Sequence, residues 1–207
     1  MTRISRKFGM AVIRWILLKY GYEITRKRPI GYPSETSKCR ERLAKFCTGC
    51  GVDLGAGGDP ITHSAIRVDL PEPYAHVGTY GVQLAGDAAR LVWFEDEVLD
   101  YVYSSHLLED FEDTEGALKE WLRVLKPKGR LVLFCPDEPT YRAHCTATGQ
   151  PYNTNHKIPD FTLEKIKKIL IQGEEKTRIL HEVALIDEYS WELVVEKLAR
   201  SIPPSGI

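Results

Sequence analysis

The stretch GVDLGAGGDP, residues 51–60, is an apolar run that ends on an aspartate and breaks at once into glycine. Four residues bounded this way predict a strand over 51–54. The loop after it lets backbone approach a ligand closely, because glycine has no side chain and tolerates positive φ. The pattern then alternates: 65–69, 82–86 and 98–104 predict strands, 114–125 a helix and 130–135 a further strand. A helix over about 162–172, capped by Thr162, follows, and then two β-rich stretches, 177–186 and 191–197. These two suit a closing hairpin, although 191–200 is equally compatible with a helix. Short strands separated by crossovers predict an α/β, doubly wound, mostly parallel sheet with helices on its faces.

At 207 residues the chain suits one core. Residues 4–20 place Phe8, Val12, Trp15 and Ile16 at helical spacing, and 36–46 predict a second helix. The expected organisation is a basic helical N-terminal extension over 1–48, an α/β domain over 49–200 and a tail over 201–207. Residues 1–45 carry 12 Lys/Arg against 3 Asp/Glu, and residues 46–207 carry 16 against 26. The basic extension is therefore expected to pack on the acidic body of its own domain, with a dimer partner or an anionic surface left open. A hydrophobic content of 43% and a charged content of 28% are those of a soluble globular protein. The apolar run from Met10 to Leu18 is interrupted by Arg14, whereas a bilayer span needs roughly 20 apolar residues. Five cysteines without a secretory leader pattern predict reduced thiols and a cytoplasmic protein. Cys47 and Cys50 have metal-like spacing but no second close pair, so no metal is expected.

The ligand of the glycine loop is narrowed by its neighbours. A dinucleotide fingerprint needs a small residue where Pro60 stands, and no lysine follows to make a phosphate loop. Asp53 disfavours a pyrophosphate and welcomes an ammonium group. Asp69 closes the next strand, where a carboxylate accepts both hydroxyls of a ribose, and Asp87 follows the third strand, within reach of an adenine amino group. Each aspartate alone is also an ordinary turn former. Together, three acids after three successive strands match S-adenosylmethionine, which carries an ammonium group, a ribose and an adenine.

At this point GVDLGAGGDP, RVDL, GDAARL, LDYVYSSHLLEDF and above all EWLRVLKPKGRLVLFCPD resemble the class I, Rossmann-like S-adenosylmethionine-dependent methyltransferases of the type 11 group, over about residues 50–165. Two departures stand out: Leu108-Glu109-Asp110 replaces the usual Leu-Glu-His, and Lys126-Pro127-Lys128-Gly129 replaces Lys-Pro-Gly-Gly. The short crossover after Gly58, and Asn153 to Lys157 before Asp160-Phe161-Thr162, are similar to a subgroup associated with surface glycan or natural-product assembly. The resemblance implies a seven-stranded sheet with its last strand antiparallel. It also implies cofactor contacts from Asp53, Gly55, Ala56, Gly57, Asp69, Leu70, Asp87, Ala88 and Ser104. The implied activity is methyl transfer to an oxygen, or less readily a nitrogen, of a small molecule or a glycan or natural-product intermediate. A catalytically silent Rossmann-like binding module is the alternative.

Methyl transfer depends mainly on holding a nucleophile in line with the methyl group, and a base matters when the nucleophile is an alcohol. His106 after the fourth strand, His156 in the polar loop after the fifth, and Asp137 just past the fifth are the catalytic candidates. Each is equally compatible with a residue that shapes its loop. The Asn/Asp-Pro-Pro-Tyr signature of amino-methylating nucleic-acid enzymes is absent after the fourth strand, where Tyr103-Ser104-Ser105-His106 stands, so DNA is not expected as a substrate.

Overall fold

The structure is a computed structural model and describes residues 33–74 and 79–199. The helix expected over 4–20 and the tail over 201–207 lie outside these residues. Seven strands are present: β1 (Gly51–Leu54), β2 (Ile66–Asp69), β3 (Leu84–Ala85), β4 (Leu99–Ser105), β5 (Leu125–Pro136), β6 (Thr177–Ile186) and β7 (Ser190–Lys197). They form one sheet in the order β3-β2-β1-β4-β5-β7-β6. β1 to β5 pair in parallel, and β7 is antiparallel to both β5 and β6. The strand order reverses between β1 and β4, which opens a crevice at the carboxyl ends of these strands. The last stretch is thus strand rather than helix.

Alternate side chains of the central strands feed two cores. Val52, Leu54, Val102, Leu131, Leu133 and Leu193 pack with α2 (Thr114–Val124) and α4 (Leu163–Gln172). Tyr101, Tyr103, Val132, Phe134 and Val194 pack on the opposite face with Cys39 and Leu43 of α1 (Glu35–Leu43). Strands covered on both sides in this way are apolar almost throughout. α2 begins where the Asp113 carboxylate accepts the Gly116 N–H at 2.8 Å. It buries Ala117, Leu118, Trp121 and Leu122 along one stripe. Trp121 is fully buried, and its indole N–H donates to the Ala88 carbonyl at 2.7 Å. The neighbouring Glu120 accepts the Leu91 N–H at 2.8 Å. α2 therefore fixes the turn after β3 as well as the core. None of the helices among the described residues is long and apolar enough to cross a membrane.

Two features differ from the alternation expected from the sequence. Lys126 to Gly129 belongs to β5 rather than to a separate turn. Pro127 has no N–H for the ladder and Lys128 takes a φ of 68°, so the pairing with β4 slips between Leu99 and Tyr101. A helix not expected from the sequence, α3 (Glu138–Thr148), follows β5. Asp137 caps it by accepting from the Thr140 N–H at 3.1 Å and the Thr140 hydroxyl at 2.6 Å, and Gly149 ends it at a φ of 71°. Its caps are well formed, but it buries just Glu138 and Cys145, so it lacks an apolar stripe.

Between β1 and β2 the chain crosses over without a helix. The glycine loop is held instead by side chains. Asp53, fully buried at the end of β1, accepts the Ile61 N–H at 2.6 Å. Asp59 accepts from the Ser34 hydroxyl, at the start of α1, and from the Arg40 guanidinium at 2.5 Å. Gly55, Gly57 and Gly58 take φ values of 71°, 53° and 83°, which non-glycine residues rarely adopt.

Burial pushes the Asp53 carboxyl up to about 8 from its ordinary 3.8. The native state therefore keeps a proton that the unfolded chain has lost, and the stability held below the unfolded value declines as pH rises through about 8. Asp53→Asn keeps an acceptor for Ile61 and removes the ionisation. In urea unfolding, the variant is expected to gain stability relative to the wild type between about pH 5 and about pH 8. An unchanged difference between the two proteins across that range would assign the slope to another group.

Candidate active site

A cavity of about 670 Å³ lies at the carboxyl ends of β1 to β4. This is within the range of small-molecule sites, about 300–1,000 Å³. Gly55, Ala56 and Gly57 line it from β1. The Gly55 N–H donates to the Val68 carbonyl at 2.9 Å, and a Cβ at Gly55 would stand 3.1 Å from Leu107 Cδ2. Asp69 lines the cavity from β2 and accepts the Gly57 and Leu70 N–H groups at 3.0 and 2.8 Å. Each of its oxygens keeps a second lone pair for a ligand. Gly86, Asp87 and Ala88 line it after β3, with Asp87 accepting the Ala89 N–H at 2.8 Å. Leu70 stands half-exposed among the lining residues.

His106 lines the cavity from the end of β4. Its φ of 48° turns the chain sharply, while its backbone N–H donates to the Phe134 carbonyl at 2.9 Å. The imidazole packs on Phe134 with ring centroids 5.2 Å apart. Its Nε2 is 3.1 Å from the Ser190 hydroxyl and 3.5 Å from a Glu35 oxygen, and its Nδ1 is 3.8 Å from Glu109 Oε1. Burial pushes the imidazole down to about 4, although the Glu35 carboxylate acts against this. The ring is therefore neutral at neutral pH and keeps a lone pair.

The structure thus brings Gly55, Ala56, Gly57, Asp69, Leu70, Asp87, Ala88 and His106 to one cavity. It places four other candidates elsewhere. Asp53 lies beneath the loop it fastens. The buried Ser104 hydroxyl donates to the Leu54 carbonyl at 3.3 Å, whereas its neighbour Ser105 lines the cavity with no hydrogen-bond partner for its hydroxyl among the described residues. Asp137 is the cap of α3. His156 turns inward, where its Nδ1 lies 2.7 Å from Glu138.

Glu35, Tyr74, Tyr141 and Tyr152 line the site with no motif of their own, and Asp110 joins them from the Leu108-Glu109-Asp110 departure. Tyr74 donates to Asp110 across the mouth, and Tyr152 donates to the buried Glu138. The sequence carries one signal for them. Glu109 and Asp110 stand in an otherwise apolar turn after a buried strand, where carboxyls have little reason to be unless they serve a site. Burial pushes the Glu109 carboxyl well above the usual carboxylate range. Glu35, Asp69, Asp87 and Asp110 face the cavity against Lys157, a field that draws in cations. Among the described residues, no group of three His, Cys, Asp or Glu side chains is arranged to hold a metal ion.

Residues 46–133 match the type 11 family model described as a methyltransferase domain. The demethylmenaquinone methyltransferase of Streptomyces griseus is 47% identical over 57 residues, which are 28% of this chain and 24% of that protein. The chain thus spans about a quarter of the length of the curated relatives it matches. A solved S-adenosylmethionine-dependent methyltransferase from Archaeoglobus fulgidus superposes with a TM-score of 0.59 at 20% identity, over 78% of this chain and 92% of that one. Another from Thermotoga maritima gives a TM-score of 0.58 at 19% identity, over 96% and 100% of the two chains. Residues 46–133 thus match the type 11 methyltransferase-domain family, and the described residues take the Rossmann-like fold of the solved S-adenosylmethionine-dependent methyltransferases.

Proposed function

We propose that this chain transfers a methyl group from S-adenosylmethionine to an oxygen, and less readily a nitrogen, of a small molecule or a glycan or natural-product intermediate. The observation that carries this is the shared cavity: glycine backbone, Asp69 and Asp87 stand at one end and the neutral, buried His106 at the other.

The residues present fit such a cofactor. The space over Gly55 would be taken by any larger side chain, since its Cβ would already touch Leu107. Asp69 retains acceptor capacity and is assigned to the ribose, Asp87 is assigned to an adenine amino group, and the acidic lining suits a cationic ligand. When bound, the cofactor supplies an electrophilic methyl group on a positively charged sulfur. The chain's own work is to orient the acceptor and exclude water, and alignment alone supplies about 7–11 kcal/mol. His106 is assigned the role of accepting the proton of a hydroxyl acceptor.

The acceptor side is built by Tyr141, Tyr152, Asn153, Asn155 and Lys157, which follow the family match that ends at residue 133. The acceptor is therefore inferred from these residues rather than from any relative. Their rings and amides suit a neutral, polar acceptor with hydroxyl groups. Four acids against one lysine disfavour a polyanion such as DNA.

S-adenosylhomocysteine is expected to raise the melting temperature, and Asp69→Ala to remove most of that shift, because a ligand that binds the native state stabilises it by mass action. A shift with NAD and none with either S-adenosyl compound would sink the proposal. His106→Ala should leave S-adenosylhomocysteine affinity nearly unchanged while lowering turnover of a hydroxyl acceptor by about 10²–10⁴-fold. Unaltered turnover would return His106 to a purely structural role.

A further inference from the structure

Glu109 sits in the short turn Leu108–Asp110 after β4 and is fully buried. Neither of its carboxyl oxygens has a hydrogen-bond partner among the described residues. A buried carboxyl left unsatisfied is costly, and such a group in a native fold calls for a role. Glu109 Oε1 stands between two imidazoles, 3.8 Å from His106 Nδ1 and 3.7 Å from His156 Nε2. Both gaps exceed a hydrogen bond by less than 1 Å, a separation that often closes when a site fills. Beyond His156 the series continues. His156 Nδ1 is 2.7 Å from Glu138 Oε2, and Glu138 also accepts from Arg142 at 2.9 Å and from Tyr152. Carboxyl and imidazole thus alternate from Glu138 to His106, the member that lines the cavity.

Alone, His106 is a weak base in this position. Burial opposes its charged form and Lys38 also acts against it, with the Glu35 carboxylate on the favourable side. A base so placed gains strength if a counter-charge appears when it takes a proton.

We propose that Glu109 is a positioning residue that holds His106 as the Nδ1–H tautomer and links it to His156 and Glu138 in a proton relay. The proposal rests on the methyltransferase reading and deepens it by naming the group that orients His106. The acceptor oxygen forms a bond to the methyl carbon, while the carbon–sulfur bond breaks and its electron pair goes to sulfur. The hydroxyl proton passes to His106 Nε2. The proton of Glu109 passes to His156 Nε2, leaving a carboxylate against the new imidazolium. His106, Glu109, His156 and Glu138 then carry alternating positive and negative charge, and no proton is gained or lost.

Nitrogen-15 NMR of the histidine rings in the full chain tests this without an acceptor. In the wild type, His106 and His156 are both expected to carry hydrogen on Nδ1 at neutral pH. Glu109→Leu should flip His106 to the Nε2–H tautomer, donating to Ser190. Glu109→Gln puts a single amide atom, oxygen or N–H, at the point between the two rings, so it should change the tautomer of one histidine and move at least one titration midpoint by about one pH unit. An Nε2–H tautomer of His106 in the wild type overturns the proposal, and that measurement stands even if a variant does not fold. So does a Glu109→Leu protein with unchanged tautomers, or a Glu109→Gln protein with unchanged titrations. S-adenosylhomocysteine binding measured on the same samples separates the two readings: its absence in the wild type would overturn the cofactor assignment while the ring signals still report on Glu109.

Discussion

The exit of the chain from β1 governs everything at the cavity. A strand buried on both sides must end, turn through positive φ and cross to β2 without a helix to stiffen it. The stiffness comes from Asp53 below, through Ile61, and from α1 at the side, through Ser34, Arg40 and Asp59. With those tethers in place, the backbone of Gly55 to Gly57 forms a fixed wall, and Asp69 is locked to it through the Gly57 N–H. A carboxylate held by two backbone donors presents its remaining lone pairs in set directions, which is the pre-organisation a specific ligand site needs.

The two ends of the cavity have different supports. The end lined by Asp87 and Ala88 hangs on α2, through the Trp121 indole and the Glu120 carboxylate. The end lined by His106 hangs on β5 and the β6–β7 hairpin, through the Phe134 carbonyl and the Ser190 hydroxyl. The family-model match, residues 46–133, contains the first end and His106, but not Phe134, Ser190 or the lining residues from Tyr141 to Lys157. The first end thus lies within the matched range, and much of the second is built by the loops and helix that follow it.

How much of this could be read from residues alone follows the same division. Strands β1 to β5 and helices α2 and α4 announce themselves through apolar runs and periodicity, and Asp69 and Asp87 through their places at strand ends. α3 stayed hidden because a helix lying over polar groups has caps but no apolar stripe. Asp53 and Asp137 point to ligands when read locally, yet in the fold one fastens a loop and the other begins a helix. Ser104 and Ser105 are neighbours on a strand, so alternation sends them opposite ways, and the sequence does not say which one meets the cavity. Glu35 and Tyr152 reach the site by tertiary packing, which leaves no local trace.

The helix missing after β1 also sets the polarity of the site. Where a glycine loop runs straight into a helix, the macrodipole adds positive potential and favours phosphate. Here no such dipole stands behind the glycine loop, and acids outnumber cations in the cavity lining. A site of that sign grips a sulfonium more firmly than the neutral thioether left once the methyl group has gone. The same acidic lining that would draw the cofactor in would then favour the spent molecule's departure, a directional bias that requires no moving part.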